Sequence, residues 1–263
     1  MGIMSYQTIL FKQEGNIAFI QFNRPDAGNS INDQLIEELN YVLQRCYTAA
    51  TIVVLQGDAL NFCTGADFKG IHSLMKEGQA VNGHAAVLYD IWRTIAEGPF
   101  VVVAHVKGKA NAGGVGFVAA ADIVIADTTA RFSLSELLFG LFPACVLPFL
   151  VRKIGFQQAH YLTLMTKPIT ADEACKAGLA DVSGDNSDLL LQQHLGRLRL
   201  LNKAAVTKYK RYMNDFLAMN REWQPSAIRA SMDMFADAAN LGRISRFVET
   251  GLLPWQESNP IQK

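Results

Sequence analysis

The sequence predicts an α/β fold, and three features carry that expectation. Strand and helix signals alternate through the first hundred residues, the order strand, glycine turn, helix, strand occurs around two separate glycine segments, and long amphipathic helices take over from about residue 195.

The elements follow in order. "YQTILFK" and "NIAFIQFN" read as paired strands around a turn at Gln13-Glu14-Gly15, and Asn23-Arg24-Pro25 ends the second. In "NDQLIEELNYVLQRC" the apolar residues Leu35, Ile36, Leu39, Val42, Leu43 and Cys46 recur at helical spacing behind Asn32, a good N-cap. "TIVVLQG" is a short buried strand, and "NFCTGADFKGI" breaks into a turn and restarts as a helix. "FVVVAHVKG" is a second buried strand, followed by the glycine run "NAGGVGFVAA" and the strand "DIVIAD". No repeat or proline-rich linker separates the two parts, which are placed at residues 1–195 (core) and 196–263 (helical region that packs on the core or on a neighbouring subunit).

With 263 residues, half of them apolar, the chain can bury a substantial core. Lys plus Arg equals Asp plus Glu at 24 each, so no global field favours nucleic acid or an anionic membrane. The start, "MGIMSYQTILFKQEG", carries no basic-then-apolar leader, and no uncharged run approaches the ~20 residues that span a bilayer, so the expected home is the cytoplasm. Cys46, Cys63, Cys145 and Cys175 lie far apart, which argues against a zinc site and against a disulfide framework.

The run Ala112-Gly113-Gly114-Val115-Gly116 after a strand offers small residues whose backbone can approach a ligand, with a helix N-terminus adding a positive end. It lacks the close glycine pair of a dinucleotide fingerprint and the Gly-Lys-Ser/Thr of a phosphate loop. Taken alone, the glycines fit a plain turn that needs positive φ equally well.

Read together, "FCTGADFKGI", "VKGKANAGGVGFVAAADIVIAD", "ARFSLSELLFGLFPACVLPFLVRKIG" and "TKPITADEACKAGLADV" resemble the crotonase (enoyl-CoA hydratase/isomerase) superfamily from Tyr6 to about Val182. The resemblance implies a spiral of ββα repeats with a C-terminal helical region, and two backbone N–H groups that hold a thioester oxygen as it becomes an enolate. Mapped onto this chain these donors are Ala66 and Gly113. Donors fixed before the reaction stabilise developing charge without reorganising, and losing one typically costs ~3 kcal/mol.

The family's hydratases place two glutamates around the bound water. One position, three residues past the oxyanion glycine, is Gly116 here; the other falls on Glu136 in Phe132-Ser133-Leu134-Ser135-Glu136. One carboxylate cannot orient water as two do, but it can take a proton from C2 and pass it to a leaving hydroxyl. Dehydration or isomerisation therefore fits better than straight-chain hydration.

Ala144-Cys145-Val146-Leu147, Asn111 ahead of the glycines, "LYDIW" and "ISRFVETGLLPWQ" look like the first enoyl-CoA-hydratase homologue of polyketide β-branching cassettes. That likeness implies a dehydratase acting on a 3-hydroxy-3-methylglutaryl thioester carried by the phosphopantetheine of an acyl carrier protein, or on a CoA thioester, with no metal or redox cofactor. It also implies a decarboxylating homologue as the next enzyme and a homotrimer or hexamer. A conventional CoA-thioester hydratase or isomerase, and a silent carrier-protein scaffold, are the alternatives.

The substrate's distal carboxylate calls for donors, and Lys69, His72, Tyr89, Arg93 and Asn111 are nearby in sequence, none singled out by spacing. Asp67 reads as a helix cap that also lies beside the site, and Cys145 as a small apolar filler. The basic tract Arg197, Arg199, Lys203, Lys208, Lys210 and Arg211 is either a solvated helix face or a contact for an acidic carrier protein.

Overall fold

The structure, a computed structural model, describes residues 6–79, 85–216 and 219–256. Its elements are β1 (Ile9–Glu14), β2 (Ile17–Phe22), α1 (Asp33–Ala49), β3 (Ile52–Gln56), β4 (Asn61–Cys63), α2 (Phe68–Lys76), α3 (Ala85–Glu97), β5 (Val101–Val106), β6 (Lys109–Asn111), α4 (Gly113–Ala120), β7 (Ile123–Asp127), β8 (Arg131–Ser133), α5 (Leu147–Met165), β9 (Ile169–Thr170), α6 (Ala171–Lys176), β10 (Val182–Gly184), α7 (Ser187–Leu198), α8 (Lys203–Phe216), α9 (Met219–Ala236) and α10 (Ala238–Thr250).

The strands form two sheets. The larger has the order β1-β2-β3-β5-β7-β10 and the smaller β4-β6-β8-β9. Only β1 in the first and β9 in the second run antiparallel to their neighbours. Three times in succession the chain lays one strand in the large sheet, one in the small sheet, and then a helix: β3-β4-α2/α3, β5-β6-α4 and β7-β8-α5. This is the spiral of ββα units that the family resemblance implies.

The parallel strands are buried on both faces, as their continuous apolar runs require. Ile17, Ile52, Val54, Val103 and Ile125 face Leu191 and Leu195 of α7. The alternate residues Val53, Leu55, Val102 and Ala104 face the main core with Leu39, Val42 and Leu43 of α1. Asn32 caps α1 by accepting from Leu35 N at 3.0 Å. The first hairpin turns at Gly15-Asn16, since β1 continues through Glu14.

Helix α7 still covers the large sheet, and the appended helices begin at Lys203. The basic tract is divided. Lys203 and Lys210 turn inward, Lys203 Nζ donating to the carbonyls of Ala50 and Pro99, and Lys210 Nζ to those of Ile95 at 3.2 Å and Phe100 at 2.9 Å. Arg197, Arg199, Lys208 and Arg211 remain exposed. Helices α9 and α10 pack Met234, Phe235, Ile244 and Phe247 against Phe139, Leu141 and the α2 residues Phe68 and Ile71, forming a small second core over the middle of the chain. Among the described residues no helix is long and apolar enough to cross a membrane.

Candidate active site

The first glycine turn leaves β4 at Cys63 and enters α2 at Phe68. Its backbone is tied to the segment before α1: Ile31 N donates to Gly65 O at 2.7 Å, and Asp67 N to Ile31 O at 3.0 Å. The N–H between those two links, on Ala66, has no acceptor among the described residues. Gly65 has φ +88°, a conformation L side chains rarely adopt.

The second turn leaves β6 at Asn111. Ala112 caps α4 with φ 51° and ψ −121°, an unfavourable conformation for a residue with a Cβ, which costs about 1–3 kcal/mol. Its own N–H is held by Ser133 O at 2.9 Å. The distortion presents Gly113 as the first residue of a helix buried from Gly114 to Ala120, and an N–H in a helix's first turn has no intrahelical acceptor. The two turns meet: a Cβ on Gly65 would stand 2.8 Å from Ala112 Cβ and 3.3 Å from Gly113 N. The amides of Ala66 and Gly113, neither with an acceptor among the described residues, are thus brought into one place, with the positive end of α4 behind the second.

Glu136 opens a single 3-10 turn, Glu136–Phe139, directly after β8. The residue as a whole is partly exposed, but its Oε2 is shut off from solvent and has no hydrogen-bond partner among the described residues. Burial pushes the carboxyl up to about 7, against the opposing pull of the backbone amides of Glu136 and Ser135. A carboxyl poised there can both take and return a proton near neutral pH.

At position 116 the space a second carboxylate would need is already filled. A Cβ on Gly116 would lie 2.6 Å from both Cε2 and Cζ2 of Trp92. The indole, 2% exposed, is wedged edge-on against Phe117 and Phe149, with ring centroids 5.8 and 6.2 Å away. The glycine and the tryptophan are one packing solution, so no side chain fits at 116 without displacing the ring.

The remaining sequence candidates separate. Asn111 sits beside the second turn in a polar cluster, accepting from Ser133 Oγ at 2.8 Å and donating through Nδ2 to Ser135 Oγ at 3.0 Å. Tyr89 is fully buried, its ring 5.0 Å from that of Phe149. Asp67 is committed elsewhere: Oδ1 accepts from Gly70 N at 3.0 Å as the cap of α2, and Oδ2 pairs with Arg24 at 2.7 Å. His72 faces α10, with Nδ1 3.1 Å from Ser245 Oγ and Nε2 3.4 Å from Glu249 Oε1, a contact between the two helices. Burial raises the Cys145 thiol to about 11, which keeps it protonated and a poor nucleophile. Sequence reasoning overlooked Trp92, Ser133 and Ser135. The bare glycine at 116 was the available signal, since an unfilled position in a packed interior implies a large neighbour.

Comparison with known proteins shows the family and the fold. The family model for enoyl-CoA hydratase/isomerase matches residues 12–258. Bacillaene synthase dehydratase PksH of Bacillus subtilis is 50% identical over 258 residues, covering 98% of this chain and all of that one. The crystal structure of PksH from Bacillus subtilis superposes with a TM-score of 0.93 at 51% identity, over 95% of this chain and 100% of that one. The short-chain-enoyl-CoA hydratase of Clostridium acetobutylicum is 30% identical over 193 residues, 71% of this chain and 72% of its own. Two glycine turns meeting at a pair of free amides, a buried glutamate and a full-length family match lead to one conclusion: the chain belongs to the enoyl-CoA hydratase/isomerase (crotonase) family.

Proposed function

We propose that the protein is a dehydratase of polyketide biosynthesis that converts a 3-hydroxy-3-methylglutaryl thioester, carried on an acyl carrier protein, to the 3-methylglutaconyl thioester. The observation that carries the reading is the asymmetry of the site: a buried carboxyl at Glu136 raised to about 7, and an indole packed onto Gly116 where a hydratase would need its other carboxylate. The relationship to PksH, a dehydratase by name, supports the same assignment.

In this reading the amides of Ala66 and Gly113 bind the thioester oxygen. Glu136 removes a proton from C2, and the electron pair moves onto that oxygen as an enolate. The pair returns to form the C2=C3 bond as the C3–O bond breaks. The proton on Glu136 passes to the departing oxygen, which leaves as water and restores the carboxylate. No metal or redox cofactor takes part. The polar cluster of Asn111, Ser133 and Ser135 ties the second glycine turn to the segment that leads into Glu136.

The exposed cations Arg197, Arg199, Lys208 and Arg211 suit an acidic carrier protein. An apolar stripe on α5, with Phe156, Tyr161, Leu164 and Met165 all about half exposed or more, suits association into a trimer or hexamer. The product, an unsaturated acid on a thioester, is a substrate for a decarboxylating homologue.

The test is direct. Hydroxymethylglutaryl-carrier protein is incubated with the wild type and with Glu136→Gln, and the acyl mass is followed. Loss of one water with the wild type and none with the variant is the expected result. No loss with the wild type would sink the dehydratase reading, and a CoA thioester run in parallel asks whether the carrier is needed.

A further inference from the structure

Resting on the dehydratase reading, we infer that the indole N–H of Trp92 donates a hydrogen bond to the oxygen on C3 of the substrate, the oxygen that leaves. Trp92 Nε1 is one of three buried side-chain polar atoms without a partner among the described residues; the others are Arg93 Nε and Glu136 Oε2. Buried donors in native proteins almost always have an acceptor.

The ring's orientation says where that acceptor must come from. A Cβ on Gly116 would meet Cε2 and Cζ2 at 2.6 Å and Cη2 at 3.1 Å, and Cε2 is bonded to Nε1; Cζ2 also lies 3.7 Å from where a Cβ on Gly113 would stand. The face of the indole therefore lies on the first turn of α4, with Nε1 one bond from an atom over Gly116 and the benzo side towards Gly113, whose amide holds the thioester oxygen in the proposed reading. Phe117 and Phe149 pin the ring, so it cannot swing to find another partner.

The spacing fits a group on C3. Residues 113 and 116 are separated by about 4.5 Å of helical rise, comparable to the reach from a thioester oxygen to a substituent on C3. The distal carboxylate is carried further along the acyl chain. An indole N–H only donates. It can stabilise negative charge gathering on the leaving oxygen, where a carboxylate at 116 would repel it, and it adds no anion beside a substrate that already bears one.

The test replaces Trp92 by Phe, which keeps an aromatic ring and removes the donor. Dehydration is measured on carrier-bound 3-hydroxy-3-methylglutaryl and 3-hydroxy-3-methylbutyryl groups, the second lacking the distal carboxylate. The expected result is a fall in kcat of about 10- to 100-fold by the same factor on both substrates, with KM little changed. A loss confined to the glutaryl substrate and seated in KM would instead assign the indole to the distal carboxylate and overturn the inference, as would no loss at all.

A second measurement does not depend on that variant folding. In 15N-tryptophan-labelled Glu136→Gln protein, the indole signal of Trp92, identified by eliminating Trp223 and Trp255 with Phe, moves downfield when the substrate thioester binds. An unmoved signal overturns the inference. Failure of the wild type to release water from either substrate would fall on the dehydratase reading, whereas the indole signal reports the contact independently of turnover.

Discussion

Lys210 of α8 closes an ion pair on Asp122, in the two-residue link between α4 and β7, with Nζ 2.6 Å from Oδ2. The same oxygen accepts from Val102 N in β5 at 2.7 Å, so one lysine joins the appended helices to the centre of the large sheet. Removing one partner of a buried pair strands the other charge, at a cost of up to 3–5 kcal/mol. Asp122 keeps partial contact with solvent, so Lys210→Met should destabilise by about 2–3 kcal/mol. Urea unfolding measures this; a change below half a kcal/mol would refute the anchoring role.

Glu136 gives a pH signature. Its carboxyl must be ionised to take a proton, so kcat/KM should rise with pH through about 7. Stability runs the other way. A folded-state value raised above the unfolded one means the native state binds more protons between the two, so stability is full below the unfolded value and declines as pH rises towards 7. Glu136→Gln should lose at least 10²-fold in kcat, yet melt a few degrees higher than wild type at pH 8. A variant that melts lower at pH 8 would contradict the burial of a charge at this position.

Gly65→Ala should damage the oxyanion pair. The new methyl would stand 2.8 Å from Ala112 Cβ at a residue with φ +88°, pushing the two turns apart. Displacing one donor costs 10²- to 10³-fold in kcat. Steady-state kinetics should show that loss with a far smaller change in KM, and a variant with wild-type kcat would rule out the two-turn geometry as the oxygen's site.

His105 gives the protein an acid limit unrelated to catalysis. Nε2 lies 3.0 Å from Ser187 Oγ, which donates to Asp127 Oδ2 at 2.8 Å, so Nε2 carries the proton and Nδ1 accepts from Gln56 Nε2 at 2.9 Å. Burial, aided by the nearby Lys107 charge, lowers the histidine to about 4. The unfolded chain therefore binds a proton that the native state does not, and stability falls as pH drops from about 6.5 towards 4. Denaturation midpoints at pH 7 and 5 should differ more in the wild type than in His105→Gln; equal differences would exclude this histidine as the source.

The order of strands, the Asn32 cap and both glycine turns could be read in the sequence because each is set by neighbours along the chain. The oxyanion positions came from the resemblance and gained their geometry only when Gly65 and Ala112 were seen in contact. The small sheet was harder to read, since β6 and β8 are each only three residues long and too short to show alternation. His72 and Lys210 were illegible for another reason: their partners, Ser245 and Asp122, are far away in sequence, so a charge or a ring nitrogen that looked available was already taken. The absence of a side chain at 116 was visible, but the indole that occupies its volume lies on α3, ahead of both β5 and α4.

The helices that follow Lys203 reach back to the glutamate's turn. The turn opened by Glu136 is anchored through Leu138 and Phe139 on Met234, Ile244 and Phe247, and exclusion from water raises the pKa of the carboxyl at its head. The turn that carries the central glutamate is thus held from below by residues about a hundred positions further along the chain. Loosening that anchor would free the turn to move and admit water to the carboxyl without altering a single atom of its side chain.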